Sequence, residues 1–336
     1  MTYLINRNVS PTRPLTDDQL KEIIINTDIH LYPENELSRF KKLYAAYNQL
    51  DTNQIELANG SDDWLQKIMI QFGAAGVLTI DPDFFMYQEY AEQLKRPFWQ
   101  VSCDDQFEFS LEKIVAAIHE KQPSVLLVSN PQNPTGEQFA PAFLQRLADE
   151  MAMINGHFVL DEAYIEFGED YQRPDNDNVI IVRTLSKIFG LAGLRLGLAV
   201  AKGETFERLT KINHPYPVNN LALNIASALF EDRERLEDWL TYQKACQAEL
   251  VEAFKSVSDL INVKETHCNF VFTYGTNAKQ LGYFLAERGF VARMYDLPIL
   301  KDAVRYSIMD LAQYPEFKAL LLEWREQFVK KRTNHP

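Results

Sequence analysis

Short apolar runs alternate with amphipathic segments of helical length through the first two-thirds of the chain. Each run has the length of a strand, while the segments between runs carry apolar positions at helical spacing. Strands that alternate with helices are typical of an α/β fold, in which helices cover both faces of a mostly parallel sheet. The predicted strands are 54–58, 76–80, 97–102, 124–129, 158–161, 179–183 and 196–201, and the predicted helices are 61–72, 84–95, 110–121 and 141–153.

Three blocks that contain candidate catalytic or ligand-binding residues lie at the ends of predicted strands. They span residues 129–136, 161–164 and 183–197. In α/β sheets, ligands bind beyond the carboxyl ends of the strands. The pattern therefore places all three blocks where a ligand site is expected.

The pattern changes from about residue 214, where Pro215 and Pro217 interrupt it. Two helices follow, and then strands and helices mix, which indicates a second, smaller α+β unit. We expect a large domain over residues 31–213 and a small C-terminal domain over residues 214–336. The predicted helices of the small unit are 219–230, 233–257, 277–288 and 315–330, and its predicted strands are 269–273, 290–294 and 303–309.

Composition narrows the classes of function. The chain has 336 residues, 46% of them apolar, which is enough for a large core. The net charge is −13 and no block is rich in Lys or Arg, so nucleic-acid binding is not expected. The apolar stretches are too short for a membrane span, and the N-terminus lacks the pattern of a signal peptide.

The cysteines and histidines argue against disulfides and metals. Cys103, Cys246 and Cys268 are odd in number and far apart, which predicts a reducing, cytoplasmic location without a disulfide framework. The six histidines show no metal-ligand spacing, so we expect no metal site.

Lys187 is the most informative residue of the chain. It follows Ser186 in a glycine-rich loop, and Arg195 lies eight positions further on. A lysine amine near cationic neighbours can lose its proton and form a Schiff base with a carbonyl group. The alternative is an ordinary solvated lysine on a loop, since most lysines are exposed.

The three blocks together resemble the fold-type-I aminotransferases that use pyridoxal phosphate. They read Asn-Pro-Thr-Gly at 133–136, Asp-Glu-Ala-Tyr at 161–164 and Ser-Lys at 186–187. The resemblance runs from about residue 6 to about residue 309 and is closest to the histidinol-phosphate aminotransferase family. It implies that residues 31–213 bind the cofactor and that residues 1–30 form an arm that joins the small domain.

The resemblance assigns residues to the cofactor ring. Lys187 supplies the amine, Asp161 pairs with the pyridine nitrogen, and Tyr164 and Asn133 hydrogen-bond the ring oxygen. Phe84 stacks on the ring, where the family more often has Tyr. Read without the resemblance, Asp161 is a strand-end residue that caps a turn, Asn133 begins an Asn-Pro turn, and Phe84 is a core residue.

The cofactor phosphate is assigned to a helix start and to the lysine loop. Gly60, Ser61 and Asp62 begin a predicted helix whose free N–H groups suit an anion. Ser186 and Arg195 are implied to reach the same phosphate. Arg195 lies in an apolar, glycine-rich stretch, where we expect the phosphate to balance its charge. The alternative reading of the first three residues is an ordinary helix cap.

The substrate and the partner subunit are assigned by the same resemblance. Arg305 is implied to bind a substrate carboxylate, for which a guanidinium has suitable bidentate geometry, and Arg293 is a second arginine near the substrate. Asn8 lies in the arm that covers the substrate. Tyr32 is implied to reach the neighbouring subunit's phosphate, which predicts a homodimer. Surface ion pairing is the alternative for both arginines.

Two stretches depart from the family pattern. The arm reads Asn6-Arg-Asn-Val where the family commonly has Asn-Glu-Asn-Pro. Met309 and Asp310 stand where the family usually has Gly-Thr. Alternation along a strand would place Met309 on the Arg305 face, where it would reshape the substrate pocket.

The predicted activity is transfer of an amino group to a 2-oxo acid such as 2-oxoglutarate. Histidinol phosphate is the favoured amino donor, and aromatic amino acids are the near alternative. Two other readings stay open. One is a pyridoxal-phosphate decarboxylase of threonine phosphate, and the other is a non-catalytic binding protein of the same fold.

Overall fold

The computed structural model describes residues 2–334, with side chains described for residues 2–330. Its strands are β1 (Tyr3–Ile5), β2 (Ile55–Ala58), β3 (Val77–Asp81), β4 (Phe98–Ser102), β5 (Val125–Ser129), β6 (His157–Asp161), β7 (Val179–Thr184), β8 (Gly197–Val200), β9 (Asn262–Val263), β10 (Phe270–Tyr274), β11 (Phe290–Met294) and β12 (Ala303–Ser307). Its helices are α1 (Asp17–Ile25), α2 (Asn35–Asn48), α3 (Ser61–Phe72), α4 (Met86–Gln93), α5 (Leu111–Lys121), α6 (Pro141–Met153), α7 (Gly203–Ile212), α8 (Asn220–Glu231), α9 (Arg233–Lys255), α10 (Thr276–Glu287) and α11 (Tyr314–Asn334).

A seven-stranded sheet forms the centre of the molecule, in the order β2-β8-β7-β6-β5-β3-β4. The strands from β7 to β4 pair in parallel, and only β8 runs antiparallel to both of its neighbours. The predicted mostly parallel α/β sheet is therefore confirmed. Helices α1, α2 and α7 and strands β1 and β9 were not predicted from the sequence.

The central sheet is buried on both faces, which explains its continuous apolar runs. Along β5, Val125 and Leu127 pack in the cluster that contains residues of α3 and α4. The alternate residues Leu126 and Val128 pack in the cluster that contains residues of α5 and α6. Because successive side chains of a strand point to opposite faces, a strand covered on both sides is apolar at every position.

A second sheet has the order β1-β11-β12-β10-β9. Strand β1 pairs in parallel with β11, with Tyr3 opposite Phe290, so the N-terminal residues join this sheet. The other four strands of this sheet all lie after residue 261, as expected of a smaller α+β unit. The domain boundaries at residues 30 and 213 stay a prediction.

Two sequence-based expectations can be compared with the described residues. None of the described helices is long and apolar enough to cross a membrane. The described His, Cys, Asp and Glu side chains form no cluster that could hold a metal ion.

Candidate active site

The three blocks meet at the carboxyl edge of the central sheet. Ser129 ends β5 and Asp161 ends β6, and the two residues are paired in register. Lys187 follows the end of β7 and places its Nζ 5.3 Å from the ring centroid of Tyr164. The lysine, the carboxylate and the tyrosine therefore share one site.

The surroundings of Lys187 favour a neutral amine. Burial lowers its pKa to about 8, and the positive charge of Arg305 acts in the same direction. The negative charges of Asp161 and Asp62 partly oppose this shift. A larger fraction of the amine is thus unprotonated at neutral pH than for an exposed lysine, which favours its use as a nucleophile and base.

Asp161 is a buried carboxylate that has protein donors on both oxygens. Asp161 is only 4% exposed. The Tyr87 hydroxyl donates to Oδ2 at 2.8 Å, and the Ala163 N–H donates to Oδ1 at 3.2 Å. Burial raises the pKa of Asp161 to about 6, against these hydrogen bonds, so the group is mostly ionised at pH 7.

Tyr164 is held from the N-terminal arm. The Asn8 Nδ2 donates to the Tyr164 hydroxyl at 3.0 Å, and the Ser307 hydroxyl donates to Asn8 Oδ1 at 2.7 Å. Asn8 has φ 54° and is 1% exposed. Both polar atoms of the Asn8 side-chain amide are thus hydrogen-bonded to protein groups, and the amide holds the Tyr164 hydroxyl in place. Its predicted substrate role stays a prediction.

Arg305 connects the second sheet to the central one. Its Nη1 donates to Asn133 Oδ1, and its Nη2 donates to the carbonyl of Asn6 at 3.3 Å. Its guanidinium lies 5.1 Å from the ring centroid of Phe270. The Nε of Arg305 is buried without a hydrogen-bond partner among the described residues.

The predicted phosphate residues lie together at the start of α3. Gly60 has φ +90°, and a Cβ there would lie 2.6 Å from Arg195 Nη2. Because a side chain at this position would collide with the guanidinium, only glycine lets Arg195 approach so closely. Helix α3 has no side-chain cap, so Ser61 does not satisfy the free N–H groups of its first turn.

The surroundings of Arg195 are more polar than the sequence suggested. The sequence placed its charge in an apolar, glycine-rich setting, where a phosphate would balance it. In the structure Arg195 Nη2 lies 2.8 Å from Asp62 Oδ2, and 43% of the Arg195 side chain is exposed. Arg195 has a left-handed backbone conformation after a short 3-10 turn, which directs its side chain across Gly60 to Asp62.

Ser186 and Phe84 are two further residues that the sequence assigned to the cofactor. The Thr184 hydroxyl donates to the Ser186 hydroxyl at 2.8 Å. Phe84 is partly buried, and its ring packs edge-on against Tyr87 at 5.5 Å between centroids. The Tyr87 hydroxyl binds Asp161, so Tyr87 connects the Phe84 ring to the carboxylate that sequence reasoning assigned to the cofactor ring.

Two other predicted residues have a different placement. Arg293 is exposed and is the cross-strand partner of Arg305, with its guanidinium 5.6 Å from the Tyr295 ring centroid. Tyr32 is 72% exposed and stacks on Tyr216 with 4.5 Å between ring centroids. The structure leaves both residues available to a molecule outside this chain.

The expectation for Met309 is wrong. Strand β12 ends at Ser307, so the alternation rule does not extend to Met309. Met309 is 1% exposed and belongs to the large hydrophobic core, while Asp310 accepts a hydrogen bond from the Tyr242 hydroxyl at 2.8 Å. Neither residue lies beside Arg305 in a substrate pocket.

Sequence reasoning missed several polar residues of the site. Tyr87 and Tyr90 lie on the same face of α4, and the Tyr90 hydroxyl donates to Asp62 Oδ1 at 2.9 Å. Asp83 accepts a hydrogen bond from the Ser129 hydroxyl at 2.5 Å. The spacing of two tyrosines three residues apart was a usable signal, because buried hydroxyls require partners.

Comparison with known proteins identifies the family. The model of the family described as aminotransferase class I and II matches residues 7–318. A histidinol-phosphate aminotransferase of Clostridium novyi (strain NT) is 29% identical over 291 residues, or 85% of this chain and 80% of the relative. That of Bacteroides fragilis (strain YCH46) is 31% identical over 265 residues, or 77% of this chain and 74% of the relative.

A solved structure shares the fold. Histidinol-phosphate aminotransferase from Sinorhizobium meliloti, solved in complex with pyridoxal-5'-phosphate, has a TM-score of 0.81 at 22% identity, covering 95% of this chain and 90% of that one. The chain belongs to the class I and II aminotransferase family. It is a transaminase that depends on pyridoxal phosphate, and the predicted fold, enzyme class and cofactor are confirmed. The alternative of a non-catalytic protein is not supported.

The residues of the site fit this cofactor. Lys187 offers an amine of lowered pKa, and Asp161 offers a buried carboxylate. The uncapped start of α3 lies against Arg195, where only glycine allows close approach of the guanidinium. These are the amine, the ring partner and the anion site that pyridoxal phosphate requires.

Proposed function

We propose that the chain transfers the amino group of histidinol phosphate to a 2-oxo acid such as 2-oxoglutarate. The observation that carries this proposal is Arg305, which lies beside Asn133 and the Lys187 amine and whose buried Nε has no partner in the described part of the chain. A guanidinium in that state favours substrates with an acidic group. The relatives named for histidinol phosphate support the choice of donor.

Lys187 is proposed as the group that moves the proton. Pyridoxal phosphate, when bound, supplies an aldehyde for amines and a ring that withdraws electrons from the substrate α-carbon. Lys187 accepts the α-proton as a neutral amine and then returns it, acting as base and afterwards as acid. A pKa lowered to about 8 suits both roles near neutral pH.

Other residues are proposed to hold and orient. Asp161, ionised and fixed by Tyr87, would pair with a protonated ring nitrogen, while Phe84 would exclude water from one ring face. Tyr164 and Asn133 would donate to the ring oxygen. The phosphate would be held by the residues at the start of α3 and in the lysine loop, namely Gly60, Ser61, Asp62, Ser186 and Arg195.

A homodimer is part of the proposal. Tyr32 lies in an exposed apolar surface that includes Ile25, Ile29 and Leu31, which are 81%, 78% and 57% exposed. Exposed apolar patches of this kind mark protein interfaces. Tyr32 would reach the neighbouring subunit's phosphate site. Sedimentation would then report a dimer, and Tyr32→Phe would weaken cofactor binding, whereas a monomer with full activity would contradict this part.

The location and domain limits are proposed on weaker support. The three cysteines are free, which agrees with a cytoplasmic protein. The arm of residues 1–30 is proposed to join the small domain of residues 214–336, with residues 31–213 as the cofactor domain. The pairing of β1 with β11 supports the placement of the arm.

The proposed function is tested with a panel of amino donors added to the loaded enzyme. Histidinol phosphate should bleach the visible absorbance of the bound cofactor, and 2-oxoglutarate should restore it. Lys187→Ala should abolish both the band and turnover. An unchanged spectrum in that variant would exclude the assignment of Lys187. Release of carbon dioxide from threonine phosphate, without use of an oxo acid, would identify the decarboxylase instead.

A further inference from the structure

Three buried polar atoms near Arg305 have no hydrogen-bond partner among the described residues. They are the Nε of Arg305, the hydroxyl of Tyr295 and Oδ1 of Asn6. Asn6 is joined to Arg305 directly, because its carbonyl accepts from Nη2. Buried polar groups are normally paired, and an unpaired one costs free energy. Several such atoms around one cation indicate a place that a polar ligand occupies.

Strand register and side-chain packing place Tyr295 on the Arg305 side of the second sheet. Arg293 and Arg305 are directly paired on the antiparallel strands β11 and β12. Directly paired residues project from the same face, and Arg305 is also directly paired with Phe272 of β10. Tyr295 lies one residue beyond the end of β11, and its side chain packs in the cluster that contains Phe272.

The charges around Tyr295 are positive. The Arg293 guanidinium lies 5.6 Å from its ring centroid. Burial raises the pKa of Tyr295, while Arg305 and Arg293 act to lower it. The net shift is upward, so the hydroxyl keeps its proton and can donate a hydrogen bond. The neutral hydroxyl of Tyr295 can therefore donate to an anion alongside the two guanidinium groups.

We propose that Tyr295 is a substrate-binding residue whose hydroxyl donates, together with Arg305, to the acidic group of the substrate. The group is a phosphate or a carboxylate, which share the required oxygen acceptors. This inference rests on the proposed function and deepens it, since it adds a neutral donor to the arginines. Several donors suit the several oxygens of such an anion.

The matched variants are Tyr295→Phe and Tyr306→Phe. Both remove one hydroxyl and keep the ring. The Tyr306 hydroxyl is also buried, but its ring packs on Phe254 and Phe317, with centroids 4.7 Å and 6.5 Å away. Tyr306 follows Arg305 on β12 and therefore points to the opposite face.

The first experiment measures KM and kcat of the loaded enzyme with histidinol phosphate, 2-oxoglutarate and histidinol, which lacks an acidic group. Tyr295→Phe should raise KM for at least one acidic substrate by about tenfold or more, as for loss of a hydrogen bond to a charged group. The KM for histidinol and the cofactor spectrum should not change. Tyr306→Phe should alter none of these values. An unchanged KM for both acidic substrates would overturn the proposal.

The second experiment does not need turnover. Calorimetry measures binding of inorganic phosphate, and separately of succinate, to the loaded enzyme. Weaker binding of phosphate in Tyr295→Phe assigns the hydroxyl to the phosphate of the donor, and weaker binding of succinate assigns it to the oxo acid. Equal binding of both by both proteins contradicts the proposal. If the wild-type enzyme uses no offered donor but the variant binds either anion more weakly, the proposed donor fails and the role of Tyr295 stands.

Thermal unfolding separates binding from a structural role. The Tyr295 hydroxyl has no partner among the residues that the structure describes, so its removal should leave the unfolding midpoint unchanged or raise it. A fall of the midpoint that accompanies a uniform loss of activity with all substrates would identify a structural residue and overturn the proposal.

Discussion

The cofactor side and the substrate side of the site differ in how their polar groups are paired. On the cofactor side, each carboxylate accepts from a protein donor. Asp161 accepts from Tyr87, Asp62 from Tyr90 and Arg195, and Asp83 from Ser129. These groups are oriented before any ligand binds.

On the substrate side this pairing is incomplete. Arg305 donates to Asn133 and Asn6 but has a buried Nε without a partner among the described residues, and the Tyr295 hydroxyl is in the same state. Arg293 is exposed, with no carboxylate partner among the described residues. A fixed cofactor side suits a group that stays bound through many turnovers, whereas unpaired donors suit substrates that alternate. Pairing by the protein would compete with each arriving substrate.

The largest expected effect comes from neutralising the cofactor side. Asp161→Asn keeps an oxygen for the Tyr87 hydroxyl but removes the negative charge. The kcat should fall by about 10²–10³-fold, the cost of losing one preorganised electrostatic group. Steady-state kcat at saturating cofactor checks this value.

Tyr87→Phe is the control for Asp161. It removes the 2.8 Å hydrogen bond and leaves the charge, so kcat should fall by less than about tenfold. If Asp161→Asn retained a tenth or more of the wild-type kcat, the carboxylate would not be the group that organises the cofactor side.

A stability measurement compares two aspartates at the end of β3. Asp83 accepts from the Ser129 N–H at 3.1 Å, the Ser129 hydroxyl and the Phe84 N–H at 2.7 Å. The side chain of Asp81 accepts only a 3.4 Å hydrogen bond from Ser102 among the described contacts. Asp83→Ala should lower the free energy of unfolding by about 1–3 kcal/mol because its donors lose their acceptor, and Asp81→Ala by less than about 1 kcal/mol.

Urea unfolding of the loaded enzyme measures the free energy of unfolding of Asp83→Ala and Asp81→Ala. Asp83→Asn is informative as well, since it keeps one acceptor oxygen and should recover part of the loss. Equal midpoints for Asp83→Ala and Asp81→Ala would mean that the hydrogen bonds of Asp83 do not stabilise the cofactor side.

On the substrate side, the cross-strand pair Arg305 and Arg293 offers a direct contrast. Arg305→Lys should lower kcat/KM for acidic substrates by about 10–100-fold, because an ammonium cannot replace a planar fork that already binds Asn133. Arg293→Lys keeps an exposed charge and should cost about threefold or less. The kcat/KM of each variant with 2-oxoglutarate decides, and equal losses would remove the distinction between the two arginines.

The strand ends of the site could be predicted from the sequence, and the contacts between them could not. The apolar runs that end at Ser129 and Asp161 give the position of both residues along the chain, and parallel pairing then makes them neighbours. Periodicity is a local property, so it succeeds for elements such as β5 and β6. The assignment of Lys187 as the reactive amine came from short motifs, which are also local in sequence.

The hydrogen bonds of the site join residues that are far apart in sequence. Tyr87 and Asp161 are separated by 74 residues, and Asn8 and Tyr164 by 156. The ion pair of Arg195 with Asp62 spans 133 residues, and no sequence pattern pointed to it. Local patterns contain no information on such partners, because tertiary packing selects them.

Lys187 lies between the two sides, and the pH dependence of its reaction with the cofactor is sensitive to charges on both. Burial and Arg305 lower its pKa to about 8, while Asp161 and Asp62 oppose the shift. The neutral amine is the form that reacts with an aldehyde, so the rate at which cofactor-free enzyme takes up pyridoxal phosphate should rise with pH. Below pH 8 the increase should be about tenfold per unit, and above it the rate should level off. Stopped-flow absorbance from pH 6.5 to 9.5 measures this, and Arg305→Met should move the midpoint upward because a repelling charge is lost. A rate that keeps rising toward pH 10 in the wild-type protein would show that neither side perturbs the amine.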